Sequence, residues 1–345
     1  MKKYNKLTKI GVSALCGSLA AVASAQAGSM SVSGGATATW TKGSHASTGN
    51  PIGMNTGMTF KGSGELDNGS TISYTLTHAD KAAYSVGSIA LATPSLGTFS
   101  ISHASGGNGL GGYDDKMPTA WEETWGGSLG TSVNLQKGVG SSTNIQWATP
   151  EIMGAKLKLA YAPKNDGKTA NDKGTGGDGG AGLGRGFDIV AELSPIDGVN
   201  AWVGVSNSDM ASLQNGVIED VDDHEEANVG FTVTFGPIKA GLAKAYERTG
   251  LNAAANVDYY VNTMFGVAFN VNDDLSFSYG RFEAKKRLVQ SSGNNADITL
   301  NSFQVAYTLG GASFKVARFD GDNVGFSTAA SADKDTTTVA LSLAF

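Results

Sequence analysis

Four carboxylates, Asp114, Asp115, Glu122 and Glu123, lie close together in the polar segment 104–142. Carboxylates that line a narrow, poorly screened passage attract cations and repel anions. The plainer alternative is a solvated surface loop whose charge has no role. Because a loop of this length without secondary structure is normally functional in a compact domain, we predict a functional role for the segment and its carboxylates.

A second acidic run extends from Glu219 to Glu226 and has the ligand chemistry of a hard divalent cation in Asp220, Asp222, Asp223 and Glu225. Ca²⁺ and Mg²⁺ prefer such oxygen ligands, although the spacing is not that of an EF-hand loop. Charge runs are also commonly just solvated. Two interpretations therefore stay open for this run, a surface-bound Ca²⁺ or Mg²⁺ ion and plain solvation. We expect no other cofactor.

Little else in the sequence indicates catalysis. The Gly-rich run 174–186 contains G-x-G-x-x-G but lacks the preceding strand and following helix of a dinucleotide site. The four histidines, His45, His78, His103 and His224, are too scattered to predict a metal site. His78 or His103 could still meet one of many serines, so a barrel hydrolase stays an alternative. We expect no enzymatic activity.

The first 27 residues have the pattern of an export signal. A basic start is followed by an apolar stretch from about Ile10 to Val22 and by Ala23-Ser24-Ala25-Gln26-Ala27, which offers two overlapping A-x-A cleavage sites. Residues 1–27 are thus predicted to be removed, leaving 28–345 as one domain. The apolar stretch is short for a transmembrane helix, and no later stretch reaches the ~20 apolar residues that a helical span needs.

Composition narrows the possible functions further. The only cysteine, Cys16, lies in the predicted signal, so the mature chain cannot form a disulfide or a cysteine-ligated metal site. The signal holds four of the 25 basic residues and none of the 31 acidic ones, which leaves 21 basic residues and a net charge of −10. That balance argues against nucleic acid as a partner, because phosphate binding needs basic patches.

Alternation of apolar with small polar residues predicts the elements that position these groups. Phe277 and Tyr279 alternate with Ser276 and Ser278, for example, and segments of about ten such residues are the signature of transmembrane β-strands. We predict sixteen strands, at 32–41, 56–65, 69–79, 85–93, 97–103, 143–150, 153–163, 186–194, 198–206, 227–236, 237–246, 259–270, 274–283, 297–308, 312–320 and 336–345.

The links between these strands alternate in length. The tight links, which carry Gly, Pro, Asn or Asp as short turns require, are 66–69, 93–97, 149–155, 194–198, 235–238, 270–274 and 308–312. Most of the others are long and polar. Short turns on one side and longer loops on the other are what an antiparallel barrel with both termini on the short-turn side requires. The predicted fold is all-β, a sixteen-stranded antiparallel transmembrane barrel, which is wide enough for a water-filled lumen.

Residues 60–78 (FKGSGELDNGSTISYTLTH), residues 142–161 (STNIQWATPEIMGAKLKLAY) and the terminal Phe345 carry a resemblance to a known family. The first stretch is similar to the second strand, turn and third strand of the trimeric general diffusion porins of Gram-negative bacteria, and the second stretch to their sixth and seventh strands. The terminal Phe345 looks like the signal that the barrel-assembly machinery reads. The chain departs from the family in having no arginine before Arg185 and a short link after the third strand.

This resemblance implies several properties. Segment 104–142 would fold into the barrel and narrow it, with Lys61, Lys156 and Lys158 as the opposing basic wall. The protein would be a homotrimer of the Gram-negative outer membrane that contacts lipid and lipopolysaccharide. It would let small hydrophilic solutes and ions diffuse passively, with a weak preference for cations. A substrate-selective channel and a barrel-anchored receptor or adhesin stay open as alternatives.

Overall fold

The computed structural model describes residues 28–44, 50–80, 86–103, 109–140, 142–165, 182–211, 213–214, 217–218, 221–253, 256–290 and 296–345. The predicted signal 1–27 and Asp220 of the second acidic run lie outside these residues. In the described part of the chain, no helix has the length and apolar character of a membrane span.

Sixteen antiparallel strands close into one barrel, in which β1 pairs with β18. Two very short strands, β10 and β11, pair with each other outside it. The strand bounds are β1 Ser29–Ser44, β2 Ile52–Glu65, β3 Thr71–Ala79, β4 Val86–Thr93, β5 Gly97–His103, β6 Asn144–Ala148, β7 Ala155–Ala162, β8 Gly182–Ile196, β9 Val199–Ala211, β10 Leu213–Gln214, β11 Val217–Ile218, β12 His224–Phe235, β13 Ile238–Arg248, β14 Val257–Asn270, β15 Leu275–Leu288, β16 Ile298–Leu309, β17 Ala312–Asp322 and β18 Lys334–Ala344. The predicted fold and strand count are confirmed.

Side chains on each strand alternate between the outside and the lumen, as the sequence pattern requires. Phe277 and Phe303 point outward and are 42% and 58% exposed, whereas Ser278 and Ser302 face inward. An apolar outer face is what hydrocarbon demands, and barrel closure pairs the backbone groups that an open sheet would leave at its edges. The strands therefore place their polar residues along the lumen.

The short turns lie at the end of the barrel that holds both described termini. Gly69 and Gly198 have φ of 77° in two of these turns, a conformation that glycine adopts at little cost. At the same end the backbones of Gly34 and Phe345 exchange two hydrogen bonds of 2.8 and 3.0 Å, which fasten the last residue to β1. The predicted alternation of short and long links is confirmed.

Several strands are longer at the long-loop end than the sequence predicts. Strand β12 begins at His224 rather than at 227, so Glu225 and Glu226 belong to the strand and point to opposite sides of the wall. Strand β15 ends at Leu288 rather than at 283, and its Phe282 faces the lumen and is 1% exposed. The strands extend because backbone pairing continues beyond the point where alternation with apolar residues fades.

Candidate functional site

Segment 109–140 lies inside the barrel and follows its wall from β8 to β18 and back. It contains two short 3₁₀ turns, Gly109–Tyr113 and Thr124–Gly126. Its side chains Leu110, Tyr113 and Leu129 pack with inward-facing Trp202, Phe282 and Phe319 into the main apolar cluster of the described residues. The core of the protein therefore lies between this loop, which we call the inner loop, and one side of the barrel.

One buried carboxylate on β8 holds the inner loop at both of its ends. The Asp188 side chain is 1% exposed and accepts hydrogen bonds from the backbone N–H of Leu110 at 2.7 Å and of Val139 at 3.2 Å. Gly109 and Gly138, beside these residues, have φ of 57° and 53°. A Cβ at either glycine would lie within 2.3 Å of Asp188 Oδ2, so glycine is required for the approach.

The middle of the inner loop is fastened to β15, β16 and β18 by polar side chains of the wall. Gln304 accepts from the N–H of Glu122 at 2.8 Å and donates to its carbonyl at 2.6 Å. Ser278 accepts from the N–H of Ala120, and Thr336 donates to the carbonyl of Gly127. These contacts replace the water that loop backbone would otherwise bind, and so fix how far the loop extends into the lumen.

Inward-facing glycines provide space for the loop against the wall. A Cβ at Gly266 would lie 2.7 Å from the Pro118 carbonyl oxygen, and one at Gly280 would lie 2.0 Å from Thr124 Oγ1. Glycine is normally depleted inside strands, so glycines on the polar side of the alternation are a sequence signal for close backbone approach. Gly266 and Gly280 were not among the predicted site residues.

Replacing Gly280 by valine is expected to push Thr124 away from the wall and into the lumen. The displaced segment narrows the passage, so single-channel conductance falls, and the overpacked contact lowers stability by about 1–3 kcal/mol. Gly62→Ala is the matched control, because a Cβ at this strand glycine meets no heavy atom within 4 Å. Equal conductance in both variants and the wild type would show that the glycine does not position the loop.

The four predicted carboxylates all lie on the inner loop and reach the lumen. Asp115 is exposed, whereas Asp114, Glu122 and Glu123 are half-buried. Burial, reinforced by the nearby charge of Asp115, raises the pKa of Asp114 to about 6. Burial is also the main cause that raises the pKa of Glu122 and of Glu123 above the ordinary glutamate value. The acidic group therefore loses charge at a higher pH than free carboxylates do.

The predicted basic residues face the lumen, but they do not form one group. Lys156 and Lys158 on β7 line a cavity of about 350 Å³ together with Lys116 of the inner loop. Lys158 Nζ lies 2.7 Å from Glu192 Oε1, which also accepts a hydrogen bond from the Tyr113 hydroxyl. Lys61 is exposed on β2, five strands away from β7. Their role as an opposing wall stays a prediction.

The second acidic run does not converge on one point in its described part. Asp222 Oδ2 lies 2.5 Å from Arg248 Nη2, and Asp223 accepts a hydrogen bond from the Asn207 side chain. Glu225 faces outward, whereas its neighbours His224 and Glu226 face inward. The one His/Cys/Asp/Glu group with ligand spacing among the described residues is His224, Glu226 and Glu247. The spacing of the histidines in the sequence did not indicate this group, because Glu247, the partner of His224, is 23 residues away.

Comparison with known proteins identifies the family. A sequence model of the Gram-negative porins matches residues 11–323, while no curated protein sequence matches significantly. One similar solved structure is an anion-selective porin from Comamonas acidovorans, with a TM-score of 0.63 and 12% identity over 92% of this chain and 100% of that chain. Another is OmpF of Salmonella typhi in complex with daunomycin, with a TM-score of 0.63 and 13% identity over 92% of this chain and 97% of that chain. A trimer form of OmpT from Vibrio cholerae, folded in vitro, is similar as well, with a TM-score of 0.64 and 12% identity over 93% of this chain and 100% of that chain.

At these identities the structural likeness shows the fold alone, whereas the family match spans most of the chain. The family match agrees with the closed barrel and the inner loop of the structure. The chain belongs to the Gram-negative porin family, whose members form channels in the outer membrane.

Proposed function

We propose that the protein is a water-filled, weakly cation-selective channel through which small hydrophilic solutes and ions diffuse passively, without catalysis. The observation that carries this proposal is the inner loop with Asp114, Asp115, Glu122 and Glu123, held against one side of a sixteen-stranded barrel. A barrel of this size is wider than its wall side chains can fill. The carboxylates then border the remaining passage and favour cations.

Single-channel recording tests the proposal. The refolded protein is inserted into a planar lipid bilayer under a KCl gradient, and stable open steps with a reversal potential of the sign for K⁺ preference are expected. Replacing Asp115, the exposed carboxylate, by asparagine should lower the preference for K⁺ and leave insertion into the bilayer unchanged. Inserted barrels without conductance would contradict the channel, and a K⁺ preference unaffected by Asp115→Asn would contradict the role of the loop.

A preference for anions is the second candidate. The cavity lined by Lys116, Lys156 and Lys158 favours it, because the three lysines pair with only two carboxylates there, Glu192 at 2.7 Å from Lys158 and Asp115 at 4.0 Å from Lys116. The solved porin from Comamonas acidovorans is described as anion-selective. The sign of the same reversal potential separates the two candidates. In either case, Lys156→Gln should shift the reversal potential in the direction of greater cation preference.

We further propose a homotrimer, which the trimer form of the similar OmpT supports. On strands β1–β5 the outward-facing side chains include one formally charged residue, Lys42, and very exposed apolar ones such as Ile52 and Met54. Such a face suits a second copy or lipid. Chemical crosslinking in detergent should give a trimer, and three equal closing steps should appear in the bilayer recording.

We also propose partners for the protein in the bacterial envelope. Residues 1–27 would direct export and be removed, and Phe345 would be read by the barrel-assembly machinery. Outward ion pairs near the long-loop end, such as Arg281–Glu283 at 2.7 Å and Arg318–Asp335 at 2.8 Å, would lie against lipopolysaccharide. Ca²⁺ or Mg²⁺ bridging Asp222 or Asp223 to that lipid stays part of the proposal.

A further inference from the structure

A histidine and two glutamates meet on the lumen side of β12 and β13. Glu226 lies directly opposite Glu247 in the strand register, and His224 is on the same face as Glu226, two residues earlier. The imidazole Nε2 of His224 lies 3.1 Å from Glu247 Oε1. One ligand atom from each of the three side chains lies within 4.8 Å of the other two. We call these three residues the His–Glu–Glu cluster.

The two carboxylates of the cluster are buried opposite each other, and Lys137 of the inner loop is a neighbouring cation whose charge acts on His224. Glu226 is 3% exposed and Glu247 is 9% exposed, and like charges directly opposite each other destabilise an antiparallel pair. Buried charges need a counter-charge or a metal ion. A protonated His224 would still leave one negative charge. Arg248 and Glu225, the adjacent charged residues on these strands, point to the outer side of the wall.

The inner loop holds both carboxylates in place. Glu226 accepts from the N–H of Lys137 at 2.9 Å and of Gly138 at 2.5 Å. Glu247 Oε2 accepts from the Asn134 side chain at 2.5 Å. These bonds orient the carboxylates without donating a charged group to them, and each oxygen keeps a second lone pair. The cluster is therefore preorganised and still able to bind a cation.

A second, independent feature lies in the same stretch of the inner loop. Gln136, between the residues that contact Glu247 and Glu226, is 2% exposed, and within the described part of the chain neither its amide oxygen nor its amide nitrogen has a hydrogen-bond partner. An unsatisfied buried polar group costs about 1–3 kcal/mol, so such a group normally has a partner such as ordered water or a bound ion. An ion or a water molecule bound in this part of the lumen would be such a partner.

We propose that His224, Glu226 and Glu247 form a binding site for a first-row transition-metal ion of the Zn²⁺ class. A mixed nitrogen and carboxylate set suits such ions, whereas Ca²⁺ and Mg²⁺ prefer oxygen alone. Ligand atoms at about 2.0–2.2 Å from Zn²⁺ can be at most about 4.4 Å apart, so small side-chain movements complete the site. Two carboxylates and a neutral imidazole balance the charge of the ion, and water takes the fourth position.

Binding to the refolded, EDTA-treated protein tests the site directly. Calorimetric titration with ZnCl₂ should show one equivalent bound, and CoCl₂ should produce the visible absorption bands of a protein-bound Co²⁺ ion. Affinity should fall at least tenfold in His224→Gln and in Glu247→Gln. The control is His78→Ala, which removes a histidine from the outer face of β3 and should leave binding unchanged. CaCl₂ should give no comparable heat.

Equal Zn²⁺ binding in the wild type and both cluster variants would overturn the proposal, as would the absence of any bound equivalent in the wild type. If His224→Gln does not refold, Glu247→Gln and the Co²⁺ spectrum of the wild type decide the question alone. The readout is binding rather than current, so it does not depend on the proposed channel. A protein that conducts but binds no Zn²⁺ would contradict only this site.

Discussion

Replacing Asp188 by alanine is expected to release both ends of the inner loop and to change the channel more than any other single substitution on the wall. The variant leaves the buried N–H groups of Leu110 and Val139 without their acceptor. Each unsatisfied buried donor costs about 1–3 kcal/mol, so we expect the free energy of unfolding to fall by about 2–6 kcal/mol. The freed loop should also move, which appears as greater noise in the open-channel current.

Asp209→Ala is the matched control for Asp188→Ala. Asp209 lies on the adjacent strand β9, where its half-buried carboxylate lies 2.8 Å from the exposed Arg185, and ion pairs in contact with solvent contribute about 0–1 kcal/mol. Urea unfolding followed by the gel shift between folded and unfolded barrel measures stability, and bilayer recording measures noise. If Asp188→Ala matched Asp209→Ala in both measurements, the carboxylate would not be the anchor of the loop.

The barrel could be predicted from the sequence because its rules are local. Alternation at Phe277 and Tyr279, and turn residues such as Asp67-Asn68-Gly69, act within one strand or one turn. Those signals gave all sixteen strands and the positions of the short turns. They failed at the long-loop end, where the outer face of β15 carries Arg281 and Glu283 instead of apolar residues. There the strand continues by backbone pairing alone.

The attachment of the inner loop could not be predicted in the same way. Asp188 bonds to Leu110, 78 residues earlier, and Gln304 to Glu122, 182 residues earlier. In the sequence each of these wall residues is an ordinary polar residue of an alternating strand. Only the resemblance to porins indicated that the loop enters the barrel, and nothing local indicated where it is bound. The lumen-facing glycines, such as Gly266 and Gly280, were the available signal.

Lowering the pH from 7.5 to 5 is expected to weaken the cation preference of the channel. With a pKa of about 6, Asp114 is ~97% ionised at pH 7.5 and only ~10% ionised at pH 5. Burial raises the pKa of Glu122 and Glu123 as well, so they gain protons in the same direction. The negative charge of the inner loop therefore becomes smaller as the pH falls.

The reversal potential in a KCl gradient, measured at half-unit pH intervals, follows this change. In the triple variant Asp114→Asn, Glu122→Gln, Glu123→Gln, the preference should already be weak at pH 7.5 and nearly independent of pH. The control variant Glu283→Gln, Asp320→Asn neutralises carboxylates on the outer face of the barrel and should behave like the wild type. A wild type whose cation preference stays unchanged down to pH 4.5 would show that these inner-loop carboxylates are not what the ions encounter. The selectivity would then have to come from other carboxylates along the lumen, with Glu192, beside Lys158 on β7, as the first residue to change.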